Sequence, residues 1–116
     1  MINRGAVILR YREPAVRWIN EADPYEDNPG FTLESVNHER TVYLISDRYT
    51  ESVSTMRRWV RRHYRKLFEA ELEGWYTDPE LWPKERTYER FQAWFDVEYH
   101  SVVVDTARGA IREDPF

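Results

Sequence analysis

ESVSTMRRWVRRHYRKLFEAELE, residues 51–73, decides the fold of this 116-residue chain. Thr50 or Ser52 is placed to cap the start of a helix, with Glu51 in its first turn. Gly74 is placed to end it as a left-handed cap. From 51 to 73 such a helix spans roughly 35 Å at about 1.5 Å per residue, the width of a domain this size. The stretch therefore predicts the spine of the fold.

Within it, RRWVRRHYRK (57–66) holds six of the 17 arginines and lysines of the chain. In helical projection Val53, Met56, Val60, Tyr64 and Leu67 share one arc of about 80°. Trp59 and His63 flank that arc on one side and Phe68 on the other. Arg57, Arg58, Arg61, Arg62, Arg65 and Lys66 fill the opposite arc. The basic block is thus one whole face of an amphipathic helix.

That face stands against an acidic background. Residues 1–50 carry a net −2, residues 51–68 a net +5 and residues 69–116 a net −7, for a chain at −4. Arg57–Arg61–Arg65 and Arg58–Arg62–Lys66 are like-charge series at i, i+4, each step costing roughly 0.2–0.5 kcal/mol when exposed. Glu69, Glu71 and Glu73 lie near the helix C-terminus, where the macrodipole disfavours them. Arg65–Glu69 is an i, i+4 pair in its weaker orientation. Something off the helix is expected to compensate, and Asp23, Glu26 and Asp27 are candidates within the chain.

Working outward, GAVILRY (5–11) reads as a buried strand, since Val and Ile favour extended backbone. Pro14 suits the first turn of a helix, whose face is Ala15, Trp18, Ile19 and Ala22. Asp23-Pro24 ends it. PYEDNPG (24–30) is turn chemistry and predicts a mobile surface loop over 24–31. Thr32 can cap a short helix through Asn37. TVYLIS (41–46) is a second strand and VEYHSVVVD (97–105) a third. Between them Thr87 caps a helix with Tyr88, Phe91, Trp94 and Phe95 on one face. ARGAIREDPF (107–116) is a polar tail.

The expectation is one α+β domain over 1–116. A small three-stranded sheet carries one long amphipathic helix and two to three shorter helices, packed mainly on one face. Strand order and parallel or antiparallel pairing are left open by the pattern. Eighteen Trp, Tyr and Phe side chains supply the core.

Several chemistries are excluded or unsupported. The chain has no cysteine, which removes disulfides and thiolate metal sites. MINRGAVILRY has no long apolar region after its early charge, and no apolar run approaches a membrane span, so a cytoplasmic protein without a membrane role is expected. Dinucleotide and P-loop glycine motifs are absent, and no metal or cofactor is called for.

Two constellations remain. The arginine face fits an acidic protein partner or a second copy of the chain. Nucleic acid is the alternative, because guanidinium groups fit phosphate bidentately, but the pI of about 5.4 speaks against it. Asp96, Glu98 and His100 lie at i, i+2, i+4 and on a strand share one face. Carboxylate and imidazole together are the raw material of acid/base work, so Glu98 and His100 centre the alternative of a small enzyme or ligand-binding domain. The main expectation is a non-enzymatic protein-interaction domain. Trp75, Tyr76 and Trp82 either line a pocket or pin the connector to the core.

The segments PAVRWINEADP (14–24), TVYLIS, ELEGWYTDPELWPKERTYERFQAWF (71–95) and DVEYHSVVVD (96–105) together resemble a set of small uncharacterised bacterial proteins of unknown function. The resemblance covers about residues 14–105, and the tryptophan-rich WYTDPELWPKERTYERFQAWF (75–95) is its most specific part. It implies a bacterial or archaeal cytoplasmic source and carries no activity, cofactor or site residue.

Overall fold

A computed structural model describes residues 1–114. Its three strands are β1 (Arg4–Tyr11), β2 (Val42–Ser46) and β3 (Phe95–His100). They form one antiparallel sheet in the order β2-β1-β3. The central place of β1 follows from its sequence. Its apolar residues are buried on both faces, Val7 and Leu9 toward the helices and Ala6 beneath its cross-strand neighbours Leu44 and His100. The edge strands instead alternate: Tyr43, Ile45, Phe95, Val97 and Tyr99 turn inward, while Val42, Leu44, Asp96, Glu98 and His100 take the other face.

The helices are α1 (Glu13–Ala22), α2 (Leu33–Val36), α3 (Val53–Trp75) and α4 (Tyr88–Trp94). They cover one face of the sheet, in keeping with the sequence pattern. Met56, Val60, Leu67, Phe68 and Leu72 of α3 join Val7, Leu9, Ile19, Phe91 and Phe95 in a single core. Phe68 is fully buried and meets Phe91, Trp94 and Phe95 at ring-centroid distances of 5.4–5.9 Å. Edge-to-face aromatic pairs of this kind add roughly 0.5–1.5 kcal/mol each beyond area burial. The opposite face of the sheet is open, and Val42 and Leu44 on it are 53% and 46% exposed.

Caps set the helix starts. Ser52 accepts from the Thr55 N–H at 3.1 Å, Thr32 from Ser35 at 3.1 Å and Thr87 from Arg90 at 3.1 Å. The end of α3 differs from expectation. Gly74 lies inside the helix, which runs on through Trp75 and stops at an extended Tyr76. The Trp75 indole explains the extra turn: it donates to the Tyr11 hydroxyl at 2.9 Å and packs on the Phe31 ring at 5.1 Å. These contacts hold the last turn in helical geometry without a left-handed cap.

The third strand is also shorter than 97–105. It ends at His100, paired with Ala6, and Ser101 begins a bend. Beyond it the Ile2 N–H reaches the Val103 carbonyl, one residue out of the ladder's register, so regular pairing does not continue. Residues 24–31 carry no regular structure, with Asn28 and Gly30 at positive φ. Their far end is fixed by Asn20, whose side chain both donates to and accepts from the Phe31 backbone at 2.9 Å. Of the polar tail, residues 107–114 are exposed and irregular, and 115–116 lie outside the described residues.

The junction between β2 and α3 is tightly held. A 3-10 turn, Asp47–Tyr49, is capped by Ser46, and Thr50 closes back on the Asp47 carbonyl at 2.8 Å. Thr50 then sits directly over Gly5. A Cβ at Gly5 would lie 2.3 Å from Thr50 Cγ2 and 3.0 Å from the His100 carbonyl, so the close approach requires glycine.

Candidate functional site

The outer face of α3 carries Arg57, Arg58, Arg61, Arg62, Arg65 and Lys66, and all six are exposed. Their common face follows from the spacing, because the interleaved Trp59, Val60, Tyr64 and Leu67 are drawn into the core or its margin. The ion pairs among the described residues are Arg40–Glu98, Lys84–Glu80 and Arg86–Glu69. None of the six cations has a carboxylate within ion-pair distance there.

None of the acids expected to compensate pairs with these cations among the described residues. Asp23 accepts from the N–H groups of Tyr25 at 2.8 Å and Glu26 at 3.0 Å, holding its own loop. Asp27 lines a cleft against α1. Glu69, expected opposite Arg65, faces Arg86 of the connector at 3.3 Å instead. Arg86 is held there by the Pro83 carbonyl at 2.9 Å and lies over the Trp82 ring.

Two of the arginines rest on aromatic rings. The Arg57 guanidinium lies 5.9 Å from the Tyr99 ring centroid and that of Arg61 5.3 Å from Tyr88. Such contacts orient a cation and leave its charge uncompensated. Burial pushes the Tyr99 hydroxyl pKa up, and the nearby Arg57 opposes that rise.

Grooves flank the helix on both sides. One, of about 620 Å³, runs between α3 and α4, where Arg57, Arg58 and Arg61 face Tyr88, Glu89 and Gln92. The other, of about 350 Å³, runs between α3 and the 3-10 turn. Arg58 contributes to both.

Asp96, Glu98 and His100 share the open sheet face, with cross-strand partners Arg10, Ile8 and Ala6. Asp96 and His100 are exposed. Glu98 is engaged by Arg40, which reaches across β1 to it. No group of three or more His, Cys, Asp or Glu side chains suited to a metal ion occurs among the described residues. No described helix is long and apolar enough to cross a membrane.

The aromatic connector pins through Tyr76 and Trp82, while Trp75 also borders a small cleft beside Tyr11 and Glu71. Trp82 donates to the Tyr76 carbonyl at 2.7 Å, Trp18 to the Leu81 carbonyl at 2.9 Å, and the Tyr76 hydroxyl to the Ile19 carbonyl. Burial raises the Tyr76 pKa, and the charge of Asp23 adds to the rise.

One polar cluster was not foreseen from the sequence. Glu71 accepts from the Tyr11 hydroxyl at 2.7 Å and from the Tyr43 hydroxyl, so one carboxylate ties α3 to β1 and β2. Burial, followed by the charge and hydrogen bond of Glu71, holds both phenols well above the usual tyrosine range. No local signal marks this site, because its three members come from three elements.

No protein-family model, curated protein or solved structure matches the chain.

Proposed function

We propose that the chain is a protein-binding domain, and that the outer face of α3 is its contact surface for an acidic partner. One observation carries this reading: six exposed cations line one helix face with no carboxylate partner among the described residues, in a chain with 21 acidic residues. The like-charge i, i+4 series costs helix stability, and a partner that brings carboxylates removes that cost on binding.

Two features favour a protein over a nucleic acid. The cationic run is short, about 14 Å from Arg57 to Lys66 at the helical rise. Acidic groups also border it: Glu89 shares a groove with Arg57, Arg58 and Arg61, and Glu73 lies exposed further along the helix. A phosphate backbone is repelled by these acids, whereas a protein surface can offer both signs.

Fluorescence anisotropy with a labelled polyglutamate peptide and a labelled DNA duplex tests the reading. The peptide is expected to bind, to weaken with added salt, and to be lost when Arg58→Glu and Arg62→Glu are combined. Failure of the peptide to bind the unaltered chain at low salt overturns the proposal. So does duplex binding with a log–log salt slope near −5, roughly −0.9 for each of six phosphate contacts.

A further inference from the structure

The two grooves beside α3 differ in charge. Glu89 tempers the one against α4. The one against the 3-10 turn has no carboxylate among its lining residues, and three arginines line it: Arg58 and Arg62 from α3 and Arg48 from the turn.

Neighbouring residues fix this arrangement. Gly5 lets Thr50 sit close on the sheet, and the Asp47 N–H of the turn donates to the Asn3 carbonyl at 3.3 Å. The Arg48 guanidinium lies 5.5 Å from the Tyr49 ring centroid. Arg58 donates to the Thr55 hydroxyl at 3.3 Å. Trp59 forms part of the wall, braced by stacking on His63 at 4.4 Å. The His63 Nδ1 lies 2.8 Å from the Trp59 carbonyl oxygen, so Nδ1 carries the proton and donates, leaving Nε2 as the second nitrogen.

Three arginines around one groove exceed what a single carboxylate can satisfy. A carboxylate offers two oxygens and one charge. A phosphate monoester offers three terminal oxygens and about −1.5 to −2 charge at neutral pH. Guanidinium forks bind such a group through paired, charge-assisted hydrogen bonds. A phosphodiester brings only one charge per phosphate, spread along a strand, so the concentrated positive charge here suits a monoester better than nucleic acid.

We infer that this groove receives a phosphorylated side chain of the acidic protein partner. Arg48, Arg58 and Arg62 hold the phosphate, and Thr55 and the Trp59 wall border it. The inference rests on the reading of α3 as the surface for an acidic partner and names the group that surface recognises. Arginine clusters are a recurrent means of recognising phosphorylated and acidic protein motifs.

Anisotropy titrations with a fluorescein-labelled glutamate-rich peptide carrying a phosphoserine, with its serine twin and with a single-stranded oligonucleotide test it. The variants are Arg48→Gln, inside the groove, and Arg65→Gln, on the face but outside it. Circular dichroism confirms that both remain folded. The phosphopeptide is expected to bind on the order of tenfold tighter than its twin. Arg48→Gln is expected to erase that difference and leave the serine peptide's affinity in place. Arg65→Gln is expected to weaken both peptides alike. Equal affinity of the two peptides for the unaltered chain overturns the phosphate groove and leaves the acidic-partner reading standing. So does an equal loss for both peptides in Arg48→Gln. Failure of both peptides to bind overturns the two readings together. An oligonucleotide that binds tighter than the phosphopeptide overturns the inference in favour of nucleic acid.

Discussion

The two halves of α3 handle charge in opposite ways. Toward its C-terminus one of three carboxylates, Glu71, is surrounded by donors: the Tyr11 and Tyr43 hydroxyls bind it, and Trp75 supports Tyr11. In the N-terminal half, cations stand exposed and find no carboxylate among the described residues. The first arrangement holds strands to helix. The second rests on aromatic contacts of Arg57 and Arg61 and keeps its mutual repulsion. Charge that stabilises is enclosed and answered within the chain, and charge left unanswered on a regular face is available to something else.

Removing the enclosed charge breaks this contrast with the largest effect. Glu71→Ala leaves the buried Tyr11 hydroxyl and that of Tyr43 without their acceptor. The expected loss is about 2–3 kcal/mol of stability, read as a lower urea midpoint. Glu71→Gln keeps an acceptor oxygen and should lose less. An Ala variant as stable as the parent would show that the cluster does not bind the layers together.

Alkaline pH probes the same cluster reversibly. Tyr11 and Tyr43 have folded-state pKa values raised above the ordinary value of 10.0. Above that pH the unfolded chain releases phenolic protons that the folded chain retains, which favours unfolding. Their contribution is therefore complete below pH 10 and is lost as pH rises beyond it. Urea midpoints measured across that range should fall on the alkaline side, and less steeply in Tyr43→Phe.

The unanswered charge sharpens the contrast by a smaller change of opposite sign. Arg62→Glu replaces two repulsive i, i+4 pairs, with Arg58 and with Lys66, by two attractive ones. It should raise stability by about 0.5–1 kcal/mol at low ionic strength. The same change should weaken binding of the acidic peptide, short of the loss expected of the double variant. A variant that gained stability and kept binding undiminished would separate the arginine face from function.

Which features could be read from the sequence depended on how far apart their causes lie. The helical projection of 51–73 placed the arginines on one face, because periodicity is local. Thr32 and Thr87 were legible as caps for the same reason; for α3 the pattern left Thr50 or Ser52 open, and the cap at Ser52 puts Glu51 before the helix rather than in its first turn. The end of α3 was not: Gly74 reads as a stop, but Trp75 is held by Tyr11 and Phe31, contacts from distant parts of the chain. The partner of Glu69 was misread likewise, since Arg86 of the connector takes it in place of the nearer Arg65. β3 stopped short because Val102 to Val104, with every preference for a strand, have no regular ladder to join past Ala6 and His100. The Glu71 cluster left no trace in the sequence, since each member looks ordinary alone. For the candidate site, the cationic face could be read directly. Its convergence with Arg48 could not, because the 3-10 turn takes its place through contacts distant in sequence, of Thr50 with Gly5 and of Asp47 with Asn3.

The strand order has a consequence in time. Of the three strands β1 is synthesised before the others and lies in the middle of the sheet, and β3, which closes its far edge, comes last. Until then the Val-Ile-Leu run of β1 has backbone groups without one of its two ladders. Pairings this distant in sequence form late, after the loop between them has been closed at an entropic cost. The most apolar strand of the molecule is thus also the one that waits longest for completion, and the interval before β3 arrives is when the chain is most open to pairing with the wrong strand.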